Sequence, residues 1–331
     1  MVPESATISQ KVDIRINHVA VIELIENELK KALSSSQGTI FEMTSHIFSA
    51  GGKRIRPLLV FYSGLIFGKQ VLPELVQAAV SVELVHMASL VHDDIIDKST
   101  LRRNKPSVNA IWGNQTAVLG GDFLFAKAFS LLANNHLIRN LELMVEAIQS
   151  MCHGEIIQAE DRFKLELGLE RYYERIAKKT AILLQCACKS GAIVGGADEH
   201  QIEQLGEYGL NLGYSFQIVD DILDFCGDSQ LMGKPKREDL IQGNLTLPIL
   251  LLLQNQQHQK WIEDIIINKD FTQENLSQIE TVLKETGIIT RSFDIALSHI
   301  EKAKINLYSL PDSSARIFLN DLAEQLKTRA Y

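Results

Sequence analysis

Cysteine is scarce. There are four in 331 residues, Cys152, Cys186, Cys188 and Cys226, and none forms a Cys-x-x-Cys pair. Free thiols, mostly buried in apolar helix in a reducing cytosol, are the expectation. A surplus of positive charge is also missing: 33 Lys and Arg face 41 Asp and Glu, a net charge of −8. That argues against a nucleic-acid binder, which would carry a basic face, and it suits a protein that holds divalent cations. No run approaches 18 uninterrupted apolar residues, so no helix is expected to span a membrane, and peripheral contact is the most that is expected. The N-terminal Met-Val-Pro-Glu-Ser-Ala-Thr lacks a basic region followed by an apolar run, so no signal peptide is expected and a cytoplasmic location is. Alternating β-branched runs bounded by turns are almost absent, which leaves an all-α chain. Linkers rich in Pro, Gly and Ser are missing too. Helix follows helix at short spacing, which predicts one large bundle over residues 1–331 with 1–16 as a frayed tail.

What is present begins with helical periodicity. Helices are predicted over Val19–Leu33, Ile40–Phe48, Leu58–Phe67, Pro73–Asp97, Thr116–Ala133, Ile138–Lys164 and Leu169–Ser190. Others are predicted over His200–Phe225, Thr246–Leu253, Trp261–Lys269, Gln273–Leu310 with a break at Gly287, and Ser313–Thr328. Two of them end in the same acidic pattern. Asp93, Asp94 and Asp97 recur as Asp220, Asp221 and Asp224, a hint of internal duplication. At i and i+4 two carboxylates stand about 5–6 Å apart at Cβ and oppose the helix by roughly 0.2–0.5 kcal/mol. Each run is entered through apolar residues, so burial adds to the conflict. A hard cation resolves it, and Mg2+ held by carboxylates and phosphate oxygens is the expected one.

Cations stand close by in sequence. Gly-Gly-Lys-Arg-Ile-Arg-Pro (51–57) places Lys53, Arg54 and Arg56 at a helix start, with Pro57 early in the helix. Glycines, free N–H groups and positive charge suit a phosphate, and a solvated basic turn is the competing reading. Arg102 and Arg103 follow the first acidic run, Lys179 lies in a later helix, and Lys234, Lys236 and Arg237 lie in the loop after the second run. Metal-bound carboxylates with separate Arg and Lys suit a diphosphate. Small residues before Asp93, namely Ser89, Ala88 and Val85, are expected to leave an apolar tunnel along that helix, about 18 Å from Asp93 back to Ser81 at 1.5 Å per residue. A phenylalanine among Phe123, Phe125 and Phe129 is expected to floor it. His86 reads either as a satisfied core histidine or as a ligand contact, and His92 as a hydrogen-bonding support.

In order, these segments resemble the trans-polyprenyl diphosphate synthases. The resemblance is carried by Gly-Gly-Lys-Arg-Ile-Arg-Pro, His-Asp-Asp-Ile-Ile-Asp (92–97) with Arg102-Arg103, Gly121-Asp122, and Lys179-Thr180. It continues through Phe-Gln-Ile-Val-Asp-Asp-Ile-Leu-Asp (216–224) and Gly233-Lys234…Asp239-Leu240…Gly243…Thr246-Leu247-Pro248. Glu-Leu-Val-His-Met-Ala-Ser-Leu-Val-His (83–92) and Gly-Glu-Ile-Ile-Gln (154–158) are similar to component II of heptaprenyl diphosphate synthases of menaquinone-making bacteria. The resemblance implies an isoprenoid-synthase bundle around a central cavity. It implies Mg2+, as three ions bridging diphosphate, on Asp93, Asp97 and Asp220 with Asp94, Asp221 and Asp224 assisting. Arg102, Lys179 and Lys234 would neutralise an allylic diphosphate such as farnesyl diphosphate, with the carbonyl of Lys179, Thr180 and Gln217 along the allylic cation. Isopentenyl diphosphate would sit on Lys53, Arg56, His86 and Arg103. The product would be a long all-trans polyprenyl diphosphate for a quinone side chain, made by a homodimer or by a heterodimer with a small regulatory component.

Asn244 departs from the family pattern, where Lys is common, and Lys236 and Arg237 are expected to compensate. Shorter-chain synthases and terpene cyclases remain alternatives, although Lys53, Arg56 and Arg103 speak against a cyclase. A non-catalytic partner subunit would be expected to lose one acidic triplet, and both are intact. A di-iron protein would need two Glu-x-x-His motifs, and only Glu83-x-x-His86 is present.

Overall fold

The computed structural model describes residues 18–34, 36–68, 73–227 and 236–328. The chain is a helical bundle, as the periodicity predicts. Its helices are α1 (His18–Ser34), α2 (Gly38–Ser49), α3 (Ile55–Leu65), α4 (Pro73–Ile96), α5 (Val108–Asn134) and α6 (Ile138–Glu160). They continue with α7 (Leu169–Ile176), α8 (Ile182–Val194), α9 (Glu199–Cys226), α10 (Glu238–Ile241) and α11 (Leu247–Leu253). The last four are α12 (Gln259–Asn268), α13 (Gln273–Glu285), α14 (Ile288–Ile305) and α15 (Ser314–Thr328).

Local chemistry sets several boundaries. Asp198 and Gln201 form a reciprocal capping box at the start of α9. Thr272 caps α13 through the Asn275 N–H. Gly287, at φ 70, breaks the predicted 273–310 helix into α13 and α14. Three expectations shift. Helix α5 begins at Val108, eight residues before the predicted start, and absorbs Trp112-Gly113 through a kink at Gly113, φ 80. The predicted Leu169–Ser190 helix is interrupted by a π-helical turn, Ala177–Ala181. The basic loop after α4 is a minimal hairpin, Leu101–Arg102 (β1) against Lys105–Pro106 (β2), with Arg103 and Asn104 left-handed at its tip.

The long helices α4 and α9 carry the acidic runs. Helix α4 is buried on nearly every side, which is why its apolar residues show no single stripe. It packs with α3, α5 and α8 around one core that contains Leu59, Leu84, Leu124 and Leu212. The second half of α9 enters a second core with α11 to α14, through Ile218, Ile222 and Phe225. Both α4 and α5 reach a mean hydropathy of 1.4 over 18 residues, so length and composition alone would pass them as membrane spans. Burial of 72% of that window accounts for α4 as a core helix, whereas only 33% of the α5 window is buried.

Candidate active site

Both acidic helices open onto one cavity of about 790 Å³. Asp93 of α4, Asp97 in the turn just past its end, and Asp220 and Asp221 of α9 are on its wall. So are Lys53, Arg56, His86, Arg102, Arg103, Lys179, Thr180 and Gln217. Lys234 lies outside the described residues. The size is that of a pocket for a small organic ligand.

Two of the six aspartates are turned elsewhere. Successive residues on a helix are about 100° apart, so Asp94 does not share the direction of Asp93. Asp94 is 3% exposed and off the cavity wall. Both its oxygens accept from Arg102 Nε at 2.8 Å, and Arg102 Nη2 adds a contact at 2.8 Å. The expectation of Asp94 as a metal ligand is therefore corrected: it anchors Arg102 from behind and leaves that guanidinium at the cavity. Asp224 also lies off the wall. One oxygen accepts from the Glu238 N–H at 3.2 Å, and the other is buried without a hydrogen-bond partner among the described residues.

Asp93, Asp221 and Asp224 are electrostatically strained. Burial, with Glu155 and Asp97 nearby, lifts Asp93 to about 7, although Lys179 pulls the other way. Burial and Asp239 lift Asp221 and Asp224 each to about 7. Acids raised by burial and by neighbouring acids suit a site that takes up positive charge. The orphaned Asp224 oxygen and the all-oxygen donor set fit Mg2+. Among the described residues no three acidic, imidazole or thiol groups converge to hold an ion by themselves. Mg2+ keeps non-protein ligands, so phosphate oxygens would have to complete its shell.

Lys179 and Thr180 sit on the π-helical turn, which is closed by the Ile182 N–H to the Ala177 carbonyl. Lys179 is paired with Glu155 and donates to Gln158 Oε1 at 3.2 Å. Thr180 donates to Gln217 Oε1 at 2.8 Å, and Gln217 Nε2 donates to Asp221 at 2.8 Å. The other Asp221 oxygen accepts from the buried Tyr172 hydroxyl at 2.7 Å. Arg175 packs over the Tyr172 ring and donates to the Leu245 carbonyl at 2.8 Å. Periodicity alone showed none of Tyr172, Arg175 or Glu155, and the only sequence signal was the Gly-Glu-Ile-Ile-Gln segment that contains Glu155.

The basic end is built differently from the expected open cluster. Arg54 is left-handed, φ 50, and 5% exposed. It donates to Glu83 at 2.7 Å and to Glu26 at 3.2 Å, so it is a buried brace that ties α1 and α4 to the start of α3. Arg56 lies 3.1 Å from His86 Nε2. Burial first, and Arg56 next, hold the His86 pKa well below its usual value, so the ring is neutral and accepts from Arg56. This resolves the two readings of His86: it is hydrogen-bonded and on the cavity wall. Arg103 donates to the Gly51 carbonyl and lies over Gly52, where a Cβ would come within 2.8 Å of Arg103 Nη1. His92 lies 3.2 Å from the Val118 carbonyl and packs beside Phe125, a supporting position.

The apolar wall corrects the tunnel expectation. Ser89 and Leu90 line the cavity, but Val85 and Ala88 are each 0% exposed and face the core. At 100° per residue Ala88 is about 140° and Val85 about 80° from Asp93, whereas Ser89 is about 40° away. Phe125 of α5, Ile148 and Met151 of α6, and Leu183, Leu212 and Phe216 extend this wall, and neither Phe123 nor Phe129 reaches it. Cys152 is exposed on the same wall, not buried, while burial pushes Cys186 and Cys188 up to about 12. Asn244 lines the cavity, but Arg237 does not compensate for it, because it is buried against Glu280 of α13.

Known proteins match this chain over most of its length. The family described as polyprenyl synthetase matches residues 37–285. Component 2 of heptaprenyl diphosphate synthase from Geobacillus stearothermophilus is 38% identical over 307 residues, 93% of this chain and 95% of that one. The same component from Bacillus subtilis is 38% identical over 310 residues, 94% and 88% of the two chains. The crystal structure of heptaprenyl diphosphate synthase from Staphylococcus aureus superposes with a TM-score of 0.89 at 34% identity, covering 96% of this chain and 100% of that one. A decaprenyl diphosphate synthase from Rhodobacter capsulatus gives a TM-score of 0.88 at 31% identity, covering 95% and 97%. Facing acidic helices, a basic pocket and an apolar wall thus occur on a backbone shared with these enzymes, and the chain belongs to the polyprenyl synthetase family.

Proposed function

We propose that this transferase elongates an allylic prenyl diphosphate by head-to-tail condensation with isopentenyl diphosphate, and releases a long all-trans polyprenyl diphosphate suited to a quinone side chain. The observation that carries the reading is that acidic helices, separate cations and an apolar wall share one cavity. Asp93, Asp97 and Asp220 would hold Mg2+ on the allylic diphosphate, with Asp221 and Asp224 supporting. When bound, that Mg2+ neutralises the diphosphate as its C–O bond breaks. Arg102, fixed by Asp94, and Lys179 add charge at the leaving group, where preorganised electrostatics contribute most of the rate. Thr180 and Gln217 border the allylic carbons. Lys53, Arg56 and Arg103 hold the isopentenyl diphosphate, and neutral His86 orients Arg56. The isopentenyl double bond attacks the allylic cation, and the proton that is lost goes to the released diphosphate. The longer chain then extends along Ser89, Phe125, Ile148 and Met151.

The chain would act as one domain in the cytoplasm, with at most peripheral membrane contact on product release. It would work beside a second subunit, either another copy or a small component. Exposed Ile111, Val118 and Leu119 on α5 and Val145 and Ile156 on α6 support such an interface, as does the name component 2 borne by two relatives.

The test is incubation of the purified chain with farnesyl diphosphate, isopentenyl diphosphate and Mg2+, followed by sizing of the product. A heptaprenyl-like diphosphate is expected, and Asp93→Asn should lower its formation by about 10²-fold or more. A geranylgeranyl product would replace this reading by the shorter-chain one, and a cyclic hydrocarbon by a cyclase.

A further inference from the structure

The π-helical turn that carries Lys179 and Thr180 is wider than an α-helical turn and needs room around it. Two buried glycines on different helices supply it. On α6, a Cβ at Gly154 would lie 2.6 Å from the Lys179 amide nitrogen and 3.0 Å from the Lys178 carbonyl carbon. On α9, a Cβ at Gly213 would lie 2.5 Å from the Ala181 Cβ and closer still to its Cα. Neither site has a flexible side-chain end that could yield, so any larger residue would push on the backbone of the turn.

One helical turn beyond each glycine stands a glutamine. Gln158, four residues after Gly154, accepts from Lys179 Nζ at 3.2 Å. Gln217, four residues after Gly213, accepts from Thr180 Oγ1 at 2.8 Å. The spacing matches because i and i+4 lie on one face of a helix, so glycine and glutamine reach the same neighbour. Both helices thus present Gly-x-x-x-Gln, as Gly-Glu-Ile-Ile-Gln (154–158) and Gly-Tyr-Ser-Phe-Gln (213–217), to the same turn. Glycine weakens a helix interior relative to alanine, so two of them against one distorted turn need a local reason.

We infer that these two segments form a clamp that keeps the turn π-helical and fixes Lys179 and Thr180 on the cavity wall. Gly154 and Gly213 are positioning residues, acting through the backbone they touch. Gln217 also donates to Asp221, so the clamp ties the turn to the acidic run of α9. The inference rests on the proposed condensation only for its kinetic consequence.

The test uses Gly154→Ala and Gly213→Ala in the full chain, with amide hydrogen exchange of residues 175–185 measured without substrate, thermal midpoints and condensation kinetics. Exchange at the turn should change by about tenfold, because its hydrogen bonding is re-registered. kcat should fall by about 100-fold, the cost of misplacing groups by an ångström. KM for isopentenyl diphosphate should stay the same, because Lys53, Arg56 and Arg103 lie elsewhere. Wild-type exchange in both alanine variants, or a lower midpoint and kcat with exchange at the turn unaltered, would overturn the clamp. If neither variant folds, Gln158→Leu replaces them. It should loosen the turn and lower kcat, with recovery in Gln158→Glu, which can still accept from Lys179, and unaltered exchange in Gln158→Leu counts against the clamp. Absence of any polyprenyl product from the wild type would refute the condensation reading, while the substrate-free exchange would still decide the clamp.

Discussion

Asp221 has both oxygens engaged, by Tyr172 and Gln217, yet burial and Asp239 lift its pKa from 3.8 to about 7. The folded state therefore binds this proton more tightly than the unfolded chain does. The consequence for stability has a definite sign. Between about pH 4 and 7 the folded state holds the extra proton, and it loses stability as pH rises through that window. Asp221→Asn has no such titration. In EDTA, the wild-type melting temperature minus that of Asp221→Asn should fall by a few degrees between pH 5 and 8. Adding Mg2+ with inorganic diphosphate should flatten the difference, and a difference already level with pH in EDTA would show that this carboxyl is not strained. The same scale shows what two adjacent aspartates do. Asp93 faces the cavity and Asp94 is spent on Arg102, a division that the letters Asp-Asp do not announce.

Within helix α4, one face serves the site and the others serve the core. Asp93, Leu90, Ser89 and His86 line the cavity, while Val85 and Ala88 have no exposed surface. The product-length test must follow the face. Ser89→Phe should shorten the polyprenyl product with the fold kept. Ala88→Phe should leave product length alone and destabilise the protein by about 1–3 kcal/mol through overpacking. Product sizing and thermal melts of both variants check this, and shortening by Ala88→Phe alone would put the gate on the core side. The helix and its acidic end were legible in the spacing of apolar residues and carboxylates. Its rotation was not, because a helix buried on all sides gives no stripe by which to orient it.

For the molecule as a whole, α5 raises the question of what covers it. Leu119 is 63% exposed and Ile111 45%, and Val145 and Ile156 of α6 are exposed as well. An apolar surface of this kind suits the proposed subunit interface. Leu119→Lys should weaken subunit association by about 30-fold or more, the scale of an interface hot spot. Sedimentation of the wild type and the variant, alone and with a small partner component, measures it. A fully active wild-type monomer would remove the interface.

By itself the sequence determined the all-α bundle, the two acidic runs, the neighbouring cations and the family, because these rest on local periodicity and on residues a few positions apart. Only the tertiary structure decided which of those charges meet. It buried Arg54 against Glu83, set Asp94 behind Arg102, and turned Arg237 away to Glu280. It also opened a π-helical turn between two glycines 59 positions apart in the chain. Each of these depends on how one helix is rotated against another, and that rotation is fixed by close packing between segments distant in sequence.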